Sequence, residues 1–331
     1  MKTVIAEAIK SGTLHRMLLD HGVEACKQLS DSKHERQIVE IAAEMLAEET
    51  AKMGITHSGF CLTSLPHREP KLERWVRNGH KVTLIVQTGF DRKGDPIGLP
   101  YGAKARLILL YLQTTALQSG SRIIELGRNM NQFLARMDVS SGGKQYAQVS
   151  EQAKRISSCA LTFFYDKDIT ETITASMRHN GRFVKTDIAF SARNAGNVAQ
   201  AELFTPVVEL DEVFYEELTK HPVPLWEPAI RAISGKSMAM DIYVWLAYRL
   251  HSLPPGKPTL IRWASLFTQF GTGFATQRQW KPDFVRNLGL AFAAYPGAQI
   301  EQVPEGLLLY QSPSPIPSKS VQVRVLPGGK A

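Results

Sequence analysis

Residues 121–164 read SRIIELGRNMNQFLARMDVSSGGKQYAQVSEQAKRISSCALTFF. The order is a short β-branched run, a helical segment, a Ser-Ser-Gly-Gly turn, a longer helix and a second apolar run. In the longer helix Tyr146, Val149, Ala153, Ile156 and Ala160 recur at helical spacing and mark the inward face. Lys144, Gln148, Glu151 and Arg155 form the opposite stripe, flanked by Gln145 and Gln152. A helix with its side chains is ~10–12 Å across, close to the width of a B-DNA major groove. Arg and Gln are the side chains that pair bidentately with guanine and adenine edges. The Gly pair lets the chain turn sharply and brings the helix N-terminus near phosphate. The stripe therefore reads as a recognition helix; the competing reading is a solvated helix face.

The same order of elements occurs twice. The first pass opens with the helix AKARLILLYLQTTAL (103–117) and closes with the hairpin ETITASMRHNGRFVKTDIAF (171–190), with Asn180-Gly181 expected at its tip. The second runs through the helix SMAMDIYVWLAYRLHSL (237–253), the strand PTLIRW, the helix ASLFTQF, the turn GTG, the helix RQWKPDFVRNLGLAFAAY (278–295) and the hairpin AQIEQVPEGLLLYQ. Helix, strand, helix, turn, helix, hairpin is the winged form of the helix-turn-helix, and its repetition strengthens the reading. The expected fold is α+β: two tandem winged-helix domains, 54–200 and 201–312. A helical extension (1–53) precedes them and an irregular Pro/Ser-rich tail (313–331) follows.

In the second pass Phe284, Val285, Leu288, Ala291, Phe292 and Tyr295 point inward. Asp283, Arg286 and Asn287 point outward, with Arg278, Gln279 and Lys281 at the helix start. Trp280 reads better as a core anchor than as a DNA contact. On the first hairpin, Arg178, His179, Arg182 and Lys185 suit phosphate or minor-groove contact, or simply keep a hairpin soluble.

The net charge is +8, unevenly distributed. Residues 76–200 hold 17 basic against 9 acidic side chains, and 249–286 hold 6 against one, while 201–248 hold 3 against 8. Two cationic zones point to nucleic acid or another polyanion. Residues 35–52 form an acidic amphipathic helix, and 54–100 read as short strands and turns with a hairpin at Asn78-Gly79. Glu44, Glu48 and Glu49 set that acidic helix away from DNA, packed on the first winged helix or joined to 54–90 in a self-association surface. No apolar run reaches the ~20 residues of a membrane helix, and the start lacks a signal-peptide pattern. The three cysteines are widely spaced and odd in number, which fits a reducing cytoplasm.

Catalytic motifs fall short. Gly235-Lys236-Ser237 ends like a phosphate-binding loop, but Ile230 stands where its first glycine belongs; GFDRKGD has Asp95 in place of Lys. His57, Cys61 and His67 lack a fourth ligand for zinc. Neither an enzyme, a cofactor nor a metal site is expected.

Beyond these motifs, the segments LPHR (65–68), PYGAKARLILLYLQT (100–114) and EQAKRISSC (151–159) make the chain resemble the plasmid-encoded RepA replication initiators. The likeness is densest over 59–164 and continues more loosely to the second hairpin. It implies a cytoplasmic bacterial protein that binds iterons in duplex DNA at a plasmid origin, helps open it, and recruits the host initiator and replicative helicase. It also implies dimers that repress the initiator's own gene. By analogy, the helix at 278–294 takes the sequence-specific contacts, and the first domain adds backbone contacts and self-association. A winged-helix transcriptional repressor, or an enzyme acting on DNA, would share part of this pattern.

Overall fold

A computed structural model of the chain describes residues 4–127, 129–168, 174–185 and 207–317, with the backbone alone at 166–168 and 174–180. The N-terminal stretch holds α1 (Val4–Lys10), α2 (Leu14–His21), α3 (Val23–Gln28) and α4 (Lys33–Ala47). Then come β1 (Met53–His57), α5 (Ser58–Leu62), β2 (Arg74–Asn78), β3 (Val82–Gln87), α6 (Gly102–Ser119), β4 (Ile123–Glu125), α7 (Met130–Arg136), α8 (Gly143–Ser158), β5 (Ala160–Asp168) and β6 (Thr174–Arg182). The rest is β7 (Val207–Glu209), α9 (Glu212–Lys220), β8 (Pro222–Trp226), α10 (Glu227–Ala232), α11 (Ser237–His251), β9 (Thr259–Arg262), α12 (Trp263–Phe270), α13 (Gln277–Ala293), β10 (Ile300–Val303) and β11 (Gly306–Leu309). The class is α+β, as expected. Contacts divide the chain into 55–222 and a unit that joins 1–54 to 223–331. That division differs from a linear order of extension and two domains.

In the 55–222 unit an antiparallel sheet runs β2-β3-β5-β6, while β4 pairs with β7. The Asn78-Gly79 hairpin is present, with Asn78 opposite Thr83. A side chain at Gly79 would meet the Leu62 carbonyl oxygen at 2.0 Å, so only glycine fits. The second hairpin differs from expectation. β6 pairs continuously with β5 from Asp168 opposite Thr174 to Ala160 opposite Arg182, which puts Asn180 and Gly181 inside the strand. Residues 169–173, which connect the two strands, lie outside the described residues. Gly181 serves close approach: a Cβ there would lie 2.9 Å from Asp211 Oδ1. The short strand read at 121–126 is β4, and it pairs antiparallel with β7, with Ile124 opposite Val208.

In the other unit the expected elements of 237–309 are all present, and their sheet is antiparallel in the order β10-β11-β9. The N-terminal helices, read from sequence as an extension, belong to its core. Ile38, Val39, Ile41, Ala42 and Met45 of α4 are buried, as are Ile5 of α1 and Leu14 and Leu18 of α2. The α4 start is set by Ser32, whose Oγ accepts the Glu35 N–H, while Glu35 accepts the Asp31 N–H. α4 packs on α13 where Gly289 leaves room: a Cβ there would be 2.8 Å from Ile38 Cδ1. α2 reaches the end of α13 through His15, whose Nε2 is 3.0 Å from the Ala293 carbonyl.

His15 is 7% exposed. Burial lowers its pKa from 6.5 to about 4, against the raising effect of the Ala293 bond. Unfolding lets it take up a proton at any pH below 6.5. Its contribution is therefore intact above pH 6.5 and is lost as the pH falls toward 4, by up to about 3 kcal/mol. Thermal melts of the wild type between pH 7 and 4 should show this loss, and His15→Gln should flatten it. An identical pH slope in the variant would remove His15 from the account.

Candidate nucleic-acid interface

Two helices present candidate reading faces, α8 in one unit and α13 in the other. On α8 Val149, Ala153 and Ile156 are buried as the wheel requires. Tyr146 is only half-buried, and its hydroxyl donates to Asn131 Oδ1. Lys144 and Gln148 are exposed and Gln145 is half-buried; Lys154, passed over in the sequence, is also exposed. The stripe then ends. Arg155 is not a DNA contact: its side chain is 9% exposed and bonded to Glu151 (2.7 Å), Glu69 (2.5 Å) and the Leu99 carbonyl (3.1 Å). Its guanidinium also lies 5.0 Å from the centroid of the Tyr101 ring. Gln152 is buried too, and its Oε1 accepts the Tyr101 N–H at 2.8 Å. The chain around 98–101 crosses the outward face of the last two turns of α8. Gly98 makes this possible, with φ +97° and room for no side chain beside Arg155 Nη1, 2.9 Å from a Cβ.

Arg106 fastens the same region from α6. Its guanidinium donates to the carbonyls of Leu65 (2.7 Å), Pro66 (3.2 Å) and Gly102 (2.8 Å). The LPHR, PYGAKAR and EQAKRISSC segments are thus largely docking chemistry. Cys61 and Cys159 are buried, and desolvation raises both thiols, Cys159 to about 12, so neither is a thiolate nucleophile at neutral pH.

On the hairpin, the side chains of Arg178 and His179 lie outside the described residues. Arg182 is exposed at the foot of α8, opposite Ala160. Lys185 is exposed, with its ammonium 3.6 Å from Glu209, so its charge is shared.

α13 begins with Thr276, whose Oγ1 accepts the Gln279 N–H at 3.3 Å. Arg278, Gln279 and Arg286 are exposed along its first half. Lys281 is half-buried, with Nζ 4.0 Å from the Trp263 ring centroid. Trp280 is fully buried against Phe267 and Phe284, a core anchor as expected. Asn287 is not a reader: it is buried, and Nδ2 donates to the Asp283 carbonyl at 2.8 Å within the helix. The outward side of the second half is roofed by α4 at Gly289 and by α2 at Ala293. Each helix is thus most open toward its start and partly covered toward its end.

Around Arg286 the surface deepens into a cleft of about 500 Å³. Lys10 of α1, His34 and Ile38 of α4, Lys281 and Arg286 of α13, and Gln302 beside the β10–β11 turn are among its walls. Sequence reasoning missed this feature because its walls come from segments some 250 residues apart.

Among the described residues no helix is long and apolar enough to cross a membrane. The model of the plasmid-encoded RepA protein family matches residues 99–264, half of the chain. No curated protein matches the chain. Solved structures similar to it include domains 2 and 3 of RctB, as selenomethionine derivatives: TM-score 0.45 at 10% identity, over 76% of this chain and 95% of that one. A second structure of RctB domains 2–3 gives TM-score 0.42 at 10% identity, over 75% and 93%.

Proposed function

The chain belongs to the family of plasmid-encoded RepA replication initiators, and from that premise we propose that it binds iterons in duplex DNA at a plasmid origin. In this reading 237–309 is a winged helix that lays the open half of α13 in a major groove, with β10 and β11 as its wing. The carrying observation is the exposed, unroofed run of Arg278 and Gln279 behind a capped helix start. Both residue types form bidentate pairs with purine edges. In the other unit, α7 and α8 form the second helix-turn-helix, with Lys144 and Gln148 toward DNA and Arg182 near the backbone. Bound initiator opens the adjacent duplex and recruits the host initiator and replicative helicase, in the bacterial cytoplasm. Its dimer represses its own gene. The role is binding and assembly, without a catalytic step; a metal-dependent nicking assay on supercoiled plasmid should stay blank.

Direct repeats of about two helical turns, sought in the DNA flanking the gene, are the probe. Arg278→Ala and Gln279→Ala should each weaken repeat binding by about 1–3 kcal/mol and weaken random-duplex binding much less. Equal losses on both duplexes would move specificity off α13. Replication of an origin plasmid with the protein supplied in trans separates an initiator from a repressor of the same build.

A further inference from the structure

His34 and Arg286 come from separate parts of the fold and line one edge of the cleft, and Lys236, from a third, lies within electrostatic reach of His34. His34 Nε2 is 3.1 Å from the Arg286 carbonyl, so α4 is seated directly against α13 there. Lys236, immediately before α11, and Arg286 both press electrostatically on the imidazole. Lys236 and Arg286 are exposed, and neither they nor Lys281 forms an ion pair among the described residues. Two acids share the cleft. Glu7 is paired with Lys10 at 3.4 Å, and Glu35 accepts the Asp31 N–H at the α4 start. Positive charge is therefore in surplus beside the open part of α13, where Lys236, Lys281 and Arg286 outnumber the two acids.

A helix in the major groove is flanked on both sides by phosphodiester backbone, and the protein groups at its rim take those phosphates. We infer that the cleft edge at Arg286 and His34, together with Lys236, is a phosphate seat for the duplex whose groove α13 enters. The inference rests on the reading of α13 given above. It reassigns Arg286 from base reading to backbone contact, and it makes the N-terminal α4 part of the DNA-binding surface. Lys236 belongs to the Gly-Lys-Ser sequence, whose cation serves here as a phosphate contact rather than in a nucleotide loop.

His34 adds a pH signature. Burial holds its pKa below the ordinary value, the Arg286 carbonyl opposes this, Arg286 and Lys236 lower it further, and Glu35 raises it. Glu7, Lys10 and Lys281 are the other charged groups on the cleft walls. A phosphate placed beside the ring favours the imidazolium, so binding takes up a proton and tightens as pH falls from 8 toward 6.

The test is fluorescence anisotropy of the full chain on a random duplex of about three helical turns, across a salt series and at several pH values. Lys236→Gln should weaken binding about 3–10-fold and reduce the slope of log K against log[salt] by roughly 0.9, one phosphate contact. His34→Gln keeps a donor for the Arg286 carbonyl and should abolish the tightening between pH 8 and 6. If both variants match the wild type in slope and pH response while Arg278→Ala still weakens repeat binding, the phosphate seat is wrong and the α13 reading stands. If Arg278→Ala and Gln279→Ala leave repeat binding unchanged while the Lys236 slope falls, α13 is not the reader and the cleft contacts DNA independently of it. Loss of cooperative melting in both cleft variants would assign these side chains to folding and overturn the seat.

Discussion

A chain lacking residues 1–47 is expected to lose the cooperative fold of the unit that carries α13, and with it sequence-specific DNA binding. The segment buries Ile5, Ile9, Leu14, Leu18, Ile38, Val39, Ile41 and Met45. Each buried aliphatic side chain contributes about 1.5–3 kcal/mol, against a total stability of about 5–15 kcal/mol for a domain. Deletion also opens the outward side of Gly289 and Ala293 to water and removes the His15 bond to the end of α13. This differs from the expectation from sequence, in which the acidic helix stands away from the DNA-binding surface, on the first winged helix or in a self-association surface. Thermal melting followed by circular dichroism, with repeat binding on the same samples, checks it. A truncated chain that melts at the parent temperature and binds repeats normally would show that α13 needs no roof. Ile38→Ala tests the same contact in the full chain, with an expected loss of about 2–5 kcal/mol.

Arg155→Ala should destabilise the 55–222 unit without acting as a DNA-contact mutation. The side chain is nearly buried and holds three acceptors, one of them the Leu99 carbonyl. Breaking a fully buried pair costs about 3–5 kcal/mol. Here Glu69 and Glu151 are 51% and 43% exposed, so water takes over part of their solvation. A loss of about 2–3 kcal/mol follows, or a fall of roughly 5–10 °C in melting temperature for a unit of this size. Well below that temperature the variant should bind repeats with an unchanged salt slope. A variant that melts like the parent yet loses about one unit of slope would restore Arg155 to the DNA surface.

The match between expectation and structure is closest where the signal is local. The helix of 237–253, the strand before α12 and the hairpin of 298–311 are written in period and in turn residues, and they fold as read. Asn78-Gly79 makes its hairpin, because the pair and both strands it joins lie between Arg74 and Gln87. Asn180-Gly181 carries the same dipeptide and makes none. There the strand continues because β5 offers a full-length partner, and Asp211, thirty residues on, lies close against Gly181.

The candidate site divides along the same line. Which helices carry a polar outward stripe, and that Trp280 is a core anchor, can be read from local pattern, since 3.6-residue periodicity is a property of the helix alone. How far each stripe stays open depends on what packs over it. Arg155 stands on the outward stripe of α8 and Gly289 on that of α13, yet both are covered. The strip around 98–101 closes over one, and α4, some 250 residues upstream, closes over the other. A helical wheel records which way a side chain leaves its own helix. What comes to rest on it is settled by burial of apolar surface elsewhere in the chain, here the faces of α1, α2 and α4, for which α13 is the partner.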